Sequence, residues 1–85
     1  MSPSAPTVYC LEILADADPV VLIRLVERIQ SLGLIAKQLT AKWIGDERVR
    51  IEFIFAGIAE HDAQTFASRV GQFATVHSVI ASAST

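Results

Sequence analysis

Eighty-five residues suffice for one domain, and a chain this short buries only ~60% of the surface that its unfolded form exposes. Seven Lys and Arg against nine Asp and Glu leave a net charge of −2, which excludes the basic footprint of a nucleic-acid binder or of a protein held to anionic lipid. A hydrophobic share of 52% is high for a chain with so much unavoidable surface, so some apolar area is expected to lie under another chain, as in a homodimer, a larger homo-oligomer or a subunit contact.

Met1 to Pro6 is built of Ser, Pro and Ala without a period and reads as a flexible N-terminus. It carries no positive charge ahead of an apolar run, and no stretch approaches the ~20 apolar residues of a membrane span. A cytoplasmic chain with no membrane contact is expected. The lone Cys10, which has no partner for an internal disulfide, fits a reducing compartment.

Residues 7–81 read as one domain. From Thr7 to Ala15 the odd positions Tyr9, Leu11, Ile13 and Ala15 are apolar, the pattern of a strand with one buried face. Asp18 then precedes Pro19: the carboxylate can accept from free backbone N–H groups and Pro suits the first helical position, so a helix starts here. Val21, Leu22, Leu25, Val26, Ile29 and Leu32 form its apolar stripe, Arg24, Glu27, Arg28 and Ser31 fall off it, and Gly33 supplies a left-handed stop.

Leu34 to Ile44 reads as a second strand, and Val49, Ile51, Phe53 and Phe55, alternating with Arg48, Arg50 and Glu52, as a third. A two-residue turn between them would set Thr40 and Lys42 on the face of Val49 and Ile51. A three-residue loop, Gly45 to Glu47, puts Leu39, Ala41 and Trp43 there instead, and is preferred. Continuing that phase would bury Lys37, so a bulge near Lys37 and Gln38 is expected to return Ala36 and Leu34 to the core.

Glu60 to Phe73 reads as a second helix, with Ala63, Phe66, Ala67, Val70 and Phe73 on its stripe and Glu60 and Asp62 in the first turn; Gly71 weakens the last turn. Val76 to Ala81 makes a short final strand, and 82–85 a flexible C-terminus. The order βαββαβ implies an α+β, ferredoxin-like fold: a four-stranded antiparallel sheet with both helices on one face. The other face would carry a mixed set including Cys10, Glu12, Lys42, Arg50 and Ile54.

Chemistry-bearing motifs are scarce. His61 and His77 have no ligand partner at metal spacing, and nothing near Cys10 would activate it as a nucleophile, so no metal, no cofactor and no catalytic residue is assigned. Acylphosphatase-like catalysis needs a cationic cradle after the first strand and an amide side chain to place water. Here that loop is Ala15-Asp16-Ala17-Asp18-Pro19, and the chain has no Asn. RNA-recognition modules stack bases on aromatics exposed on the sheet, whereas Tyr9, Phe53 and Phe55 take the buried phase. A non-catalytic regulatory or interaction module remains.

Three stretches then resemble the ACT domain family, small ferredoxin-like modules that bind amino acids or other effectors at subunit interfaces, and within it most the short regulatory subunits of acetohydroxyacid (acetolactate) synthase. They are Pro19-Val20-Val21-Leu22-Ile23-Arg24-Leu25; Ser31-Leu32-Gly33-Leu34 with Gln38-Leu39; and Phe73-Ala74-Thr75-Val76-His77-Ser78-Val79. The resemblance spans about Tyr9 to Val79. It implies a regulatory subunit of a branched-chain amino acid biosynthetic synthase, bound to the large catalytic subunit through a sheet face or strand edge; the alternative is a free-standing, amino-acid-sensing homodimer.

By the same resemblance an effector would meet Asp16, Ala17, Asp18, Val20, Val21, Gly33 and Ile35. A dimer joined at an edge strand would use Arg24, Arg28, Leu34, Ile35, Lys37, Leu39 and Trp43. Amino-acid-sensing members carry Asn or Asp at the position of Ala17 and Gly at that of Val20. With neither present, Asp16 to Val21 reads first as a helix start, and the effector site as altered or lost.

Overall fold

Alternating apolar residues build a single sheet in the computed structural model, which describes Val8 to Ser84; the N-terminal segment expected to be flexible lies outside the described residues. In chain order the elements are β1 (Val8–Asp16), α1 (Pro19–Ser31), β2 (Gln38–Ile44), β3 (Arg48–Ala56), α2 (Glu60–Gly71) and β4 (Val76–Ser84). The strands lie in the order β2-β3-β1-β4, all neighbours antiparallel, so the fold is the expected ferredoxin-like βαββαβ.

The buried faces match the expected phases. Leu11, Ile13 and Ala15 of β1 meet Val49, Ile51, Phe53 and Phe55 of β3, and the helices close over them with Val21, Leu25 and Ile29 from α1 and Phe66 and Val70 from α2. The ring of Phe66 stands edge-on to both Phe53 (5.5 Å) and Phe55 (5.6 Å) and forms the junction of helix and sheet. No polar or charged side chain is buried among the described residues, so the core stands on apolar burial alone, ~1.5–3 kcal/mol for each large side chain.

Both ends of α1 are built as the sequence implies. Asp18 Oδ1 accepts from the Val20 N–H at 3.0 Å, and Pro19 occupies the first turn. At the other end Gly33 takes φ +70°, its N–H donates to Gln30 O, and the Leu34 N–H donates to Ile29 O. This paired capping pattern brings Leu34 back against Ile29 in the core.

That cap corrects the expected start of β2. Leu34 to Lys37 is not strand; the β2–β3 register runs unbroken from Gln38↔Ile54 to Ile44↔Arg48, and the Lys37 N–H donates to Ile54 O (2.7 Å), so Lys37 and Gln38 both stand against Ile54, the two-against-one arrangement expected there. Leu34 is buried because the helix cap folds it inward, and Lys37 escapes burial because the strand begins after it. The three-residue loop Gly45 to Glu47 is present, with Gly45 at φ +64°, and it sets Trp43 opposite Val49 and Ala41 opposite Ile51.

Other differences are small. α2 ends at Gly71 rather than Phe73, although Phe73 still packs on the core. β4 continues to Ser84, beyond the expected end at Ala81, and pairs with β1 from Val8 to Ala15 with a register shift between Leu14 and Ala15. Val26, placed on the apolar stripe of α1 by its spacing, is exposed: it lies on the flank of the helix that faces β2, where no element covers it.

Candidate functional site

The turn from β1 into α1 is where the sequence resemblance puts an effector, and its backbone N–H groups from Asp16 to Val21 can be followed donor by donor. The Asp16 N–H donates to Thr75 O (2.8 Å), Ala17 to Glu47 O (2.9 Å), Asp18 to Asp16 O (2.8 Å) and Val21 to Asp18 O (3.0 Å). The Val20 N–H goes to the Asp18 carboxylate, and Pro19 has none. A helix N-terminus attracts anions because its first N–H groups are unpaired. Here the N–H groups from Asp16 to Val21 are already engaged within the chain, so none of these is free for an amino-acid carboxylate.

The side chains of the turn are engaged as well. His77 Nε2 lies 2.5 Å from Asp16 Oδ1, joining the turn to the start of β4. The pair is about half exposed and contributes at most ~1 kcal/mol. Ala17 offers no polar atom, Val21 is in the core, and the Val20 side chain is exposed over the helix start. Gly33 lies at the far end of α1, and Ile35, 83% exposed, follows it in the connection to β2. Within one chain the expected effector residues therefore divide between the two ends of α1.

The residues expected at a dimer contact divide differently. Arg24 and Arg28 line a cleft of about 390 Å³ with Glu27, Ser31 and Phe73, and the Arg28 guanidinium stands 6.0 Å from the centre of the Phe73 ring. That is the flank of α1 turned toward α2. Leu39 and Trp43 lie on the opposite side of the molecule, on edge strand β2, with Lys37 just before it. Leu34 is core and presents no contact surface.

Strand β2 is exposed along its whole length. It pairs only with β3, so its outer row of N–H and C=O groups has no partner strand. Leu39 and Trp43 point to the helix side of the sheet in the register of Phe53 and Val49, yet α1 does not reach over them, and Trp43 is 61% exposed. Val26 and Ile35 are exposed apolar side chains as well.

Elsewhere the surface offers little chemistry. Among the described residues no three His, Cys, Asp or Glu side chains converge as a metal site. Burial, then the charges of Glu52 and Glu12 and a hydrogen bond with Glu52, push the Cys10 thiol above its usual pKa, which suppresses the nucleophilic thiolate. The Asp16–His77 pair and the Glu47 carbonyl were not foreseeable, because each partner lies far along the chain from the turn and carries no local motif.

No protein-family model matches the chain. No curated protein matches it either. Among solved structures it is similar to the ACT domain from the GTP pyrophosphokinase of Chlorobium tepidum, with a TM-score of 0.77 at 8% identity over 91% of this chain and 99% of that one. It is similar also to the C-terminal domain of the MgtC protein from Mycobacterium tuberculosis (TM-score 0.75, 12% identity, 99% and 94% covered). The regulatory subunit of aspartate kinase from Thermus flavus follows at 0.66, with 11% identity over 92% of this chain and 52% of that one. At these identities the likeness establishes the ACT-type ferredoxin-like fold.

Proposed function

We propose that this chain, which shares the fold of ACT domains, is a non-catalytic regulatory module that self-associates through β2 and no longer binds an amino acid at the β1–α1 turn. The observation that carries the reading is the full engagement of the N–H groups from Asp16 to Val21, beside a bare, apolar strand edge at β2. The fold is kept, the donors that would hold an effector carboxylate are spent inside the chain, and what is left free is a surface suited to another polypeptide.

Pairing β2 with its copy would satisfy the outer strand edge, and Trp43 and Leu39 would supply the apolar anchors of that contact. The sequence resemblance names the catalytic partner: the thiamine-diphosphate-dependent large subunit of acetohydroxyacid synthase, in the cytoplasm. Neighbours described as a regulatory subunit of aspartate kinase and as GlnK support a regulatory role in general terms.

The test is a pull-down from native cell extract with the tagged full chain, with and without valine, leucine or isoleucine. Capture of a synthase large subunit, unaltered by the amino acids, is expected. In parallel, none of the three should raise the melting temperature at millimolar concentration, since a ligand that binds only the folded state must raise it. Failure to capture the large subunit refutes the synthase assignment; an amino-acid-dependent change in melting or oligomer size refutes the loss of the site and makes the chain a sensor.

A further inference from the structure

We propose that the open face of the sheet, turned away from both helices, is a second self-association surface, and that its occupant is another copy of this chain. The strand register sets four charged side chains of this face in two adjacent rows. Glu12 on β1 stands directly opposite Glu52 on β3. One row along, Arg50 on β3 stands directly opposite Lys42 on β2. Like charges directly opposite one another are unfavourable in a sheet, and this face holds two such pairs side by side.

None of the four forms an ion pair within the chain; among the described residues the only one found is between His77 and Asp16. Nor do they sit in an evenly charged, well-solvated field. Leu14 stands directly beside Arg50, and Ile80, 60% exposed, directly beside Glu12. Cys10 and Ile54, both half-buried, flank the two glutamates in the next row. An acidic row and a basic row thus lie next to each other in a partly apolar setting, and within each row the charged neighbour across the strands is a like charge, the opposite charge being absent from that row.

A second copy supplies that charge by symmetry. Turned about a two-fold axis that lies in the plane of the interface, across the strands and between the two rows, it places its basic row over the acidic row and its acidic row over the basic one. Glu52 then faces Arg50 of the second copy, and Arg50 faces its Glu52. Glu12 faces Leu14 of that copy, next to the same Arg50. Face-to-face sheets pack about 10 Å apart, a gap that an arginine and a glutamate span together. The contact is isologous, as a two-fold demands, and it is separate from the β2 edge, so the two surfaces together close a dimer of dimers.

Sedimentation equilibrium of the full chain at low salt tests this. The wild type is expected as four chains. Arg50→Glu or Glu52→Arg alone should leave two chains and weaken the lost association at least ~10-fold, and the double reversal R50E/E52R should restore it to within a few-fold, because it rebuilds both cross-copy pairs. High salt should act on the wild type in the direction of the single reversals. Arg50 is exposed, so R50E keeps the test sound if Glu52→Arg disturbs folding, which circular dichroism reads.

Trp43→Asp separates this surface from the edge contact. It should also give two chains, now held by the sheet face. If the single reversals change nothing, or the double reversal fails to restore association, or the wild type is monomeric, the open-face contact is refuted. If Trp43→Asp changes nothing while the reversals dissociate the chain, the face stands and the β2 contact falls.

Discussion

Replacing Phe66 with alanine tests the claim that one ring locks helix to sheet. Phe66 is fully buried and meets Phe53 and Phe55 edge-on at 5.5 and 5.6 Å. Burying such a side chain and then emptying its site costs ~3–5 kcal/mol. A chain of this length has a total stability of about 4–13 kcal/mol, at roughly 0.05–0.15 kcal/mol per residue. Phe66→Ala therefore removes between about a quarter and all of it. Phe66→Leu keeps most of the apolar volume and loses two aromatic contacts of ~0.5–1.5 kcal/mol each, so it should cost about 1–3 kcal/mol. Urea unfolding followed by circular dichroism resolves the two, run at one protein concentration because association adds stability that depends on concentration. With a slope near ~1 kcal/mol/M, the leucine variant should unfold about 1–3 M lower, and the alanine variant lower still or without any folded baseline. An alanine variant whose midpoint lies within ~0.3 M of wild type at the same slope would refute the core geometry.

Two further outcomes follow from the site. Asp18→Ala should destabilise the chain by about 1 kcal/mol, while Asp18→Asn should leave it nearly unchanged, since only the capping acceptor for the Val20 N–H is at stake; equal losses in urea unfolding would show that the cap is not the cause. Cys10 should react with a disulfide reagent near pH 8 more slowly than free cysteine, and Glu52→Gln should speed the reaction, because burial first and Glu52 next hold the thiol above its ordinary pKa. The folded chain then keeps the thiol proton more tightly than the unfolded one. The associated stability is complete below the unfolded thiol's pKa and is lost as pH rises through the folded one, so Cys10→Ser should lessen the alkaline loss of stability. An unchanged alkaline limb in that variant would contradict the shift.

Local chemistry determined the parts of this molecule that need no distant partner. The period of two in β1 and β3 named their buried residues, because a strand sends alternate side chains to opposite faces whatever lies beyond it. Asp18-Pro19 and Gly33 marked both ends of α1, since capping and positive φ are properties of single residues. The alternation also chose the three-residue hairpin loop over a two-residue turn, which would have turned Trp43 away from the helix side.

Tertiary structure decided the rest. Leu34 is buried by a helix cap, ahead of the strand rather than within it, and apolar pattern alone does not distinguish the two. Leu39 and Trp43 have the phase of core residues, yet they stand in the open because the sheet is wider than the helices covering it; phase fixes the face of a side chain, and only packing fixes its cover. The hydrogen bonding of the β1–α1 turn was decided the same way. Its capping was written in Asp18, but the bonds that engage the Asp16 and Ala17 N–H groups reach across to Thr75 and Glu47 and become visible only when the sheet brings those carbonyls to it. The opposed glutamates and the opposed cations of the open face likewise exist only in the register of the finished sheet.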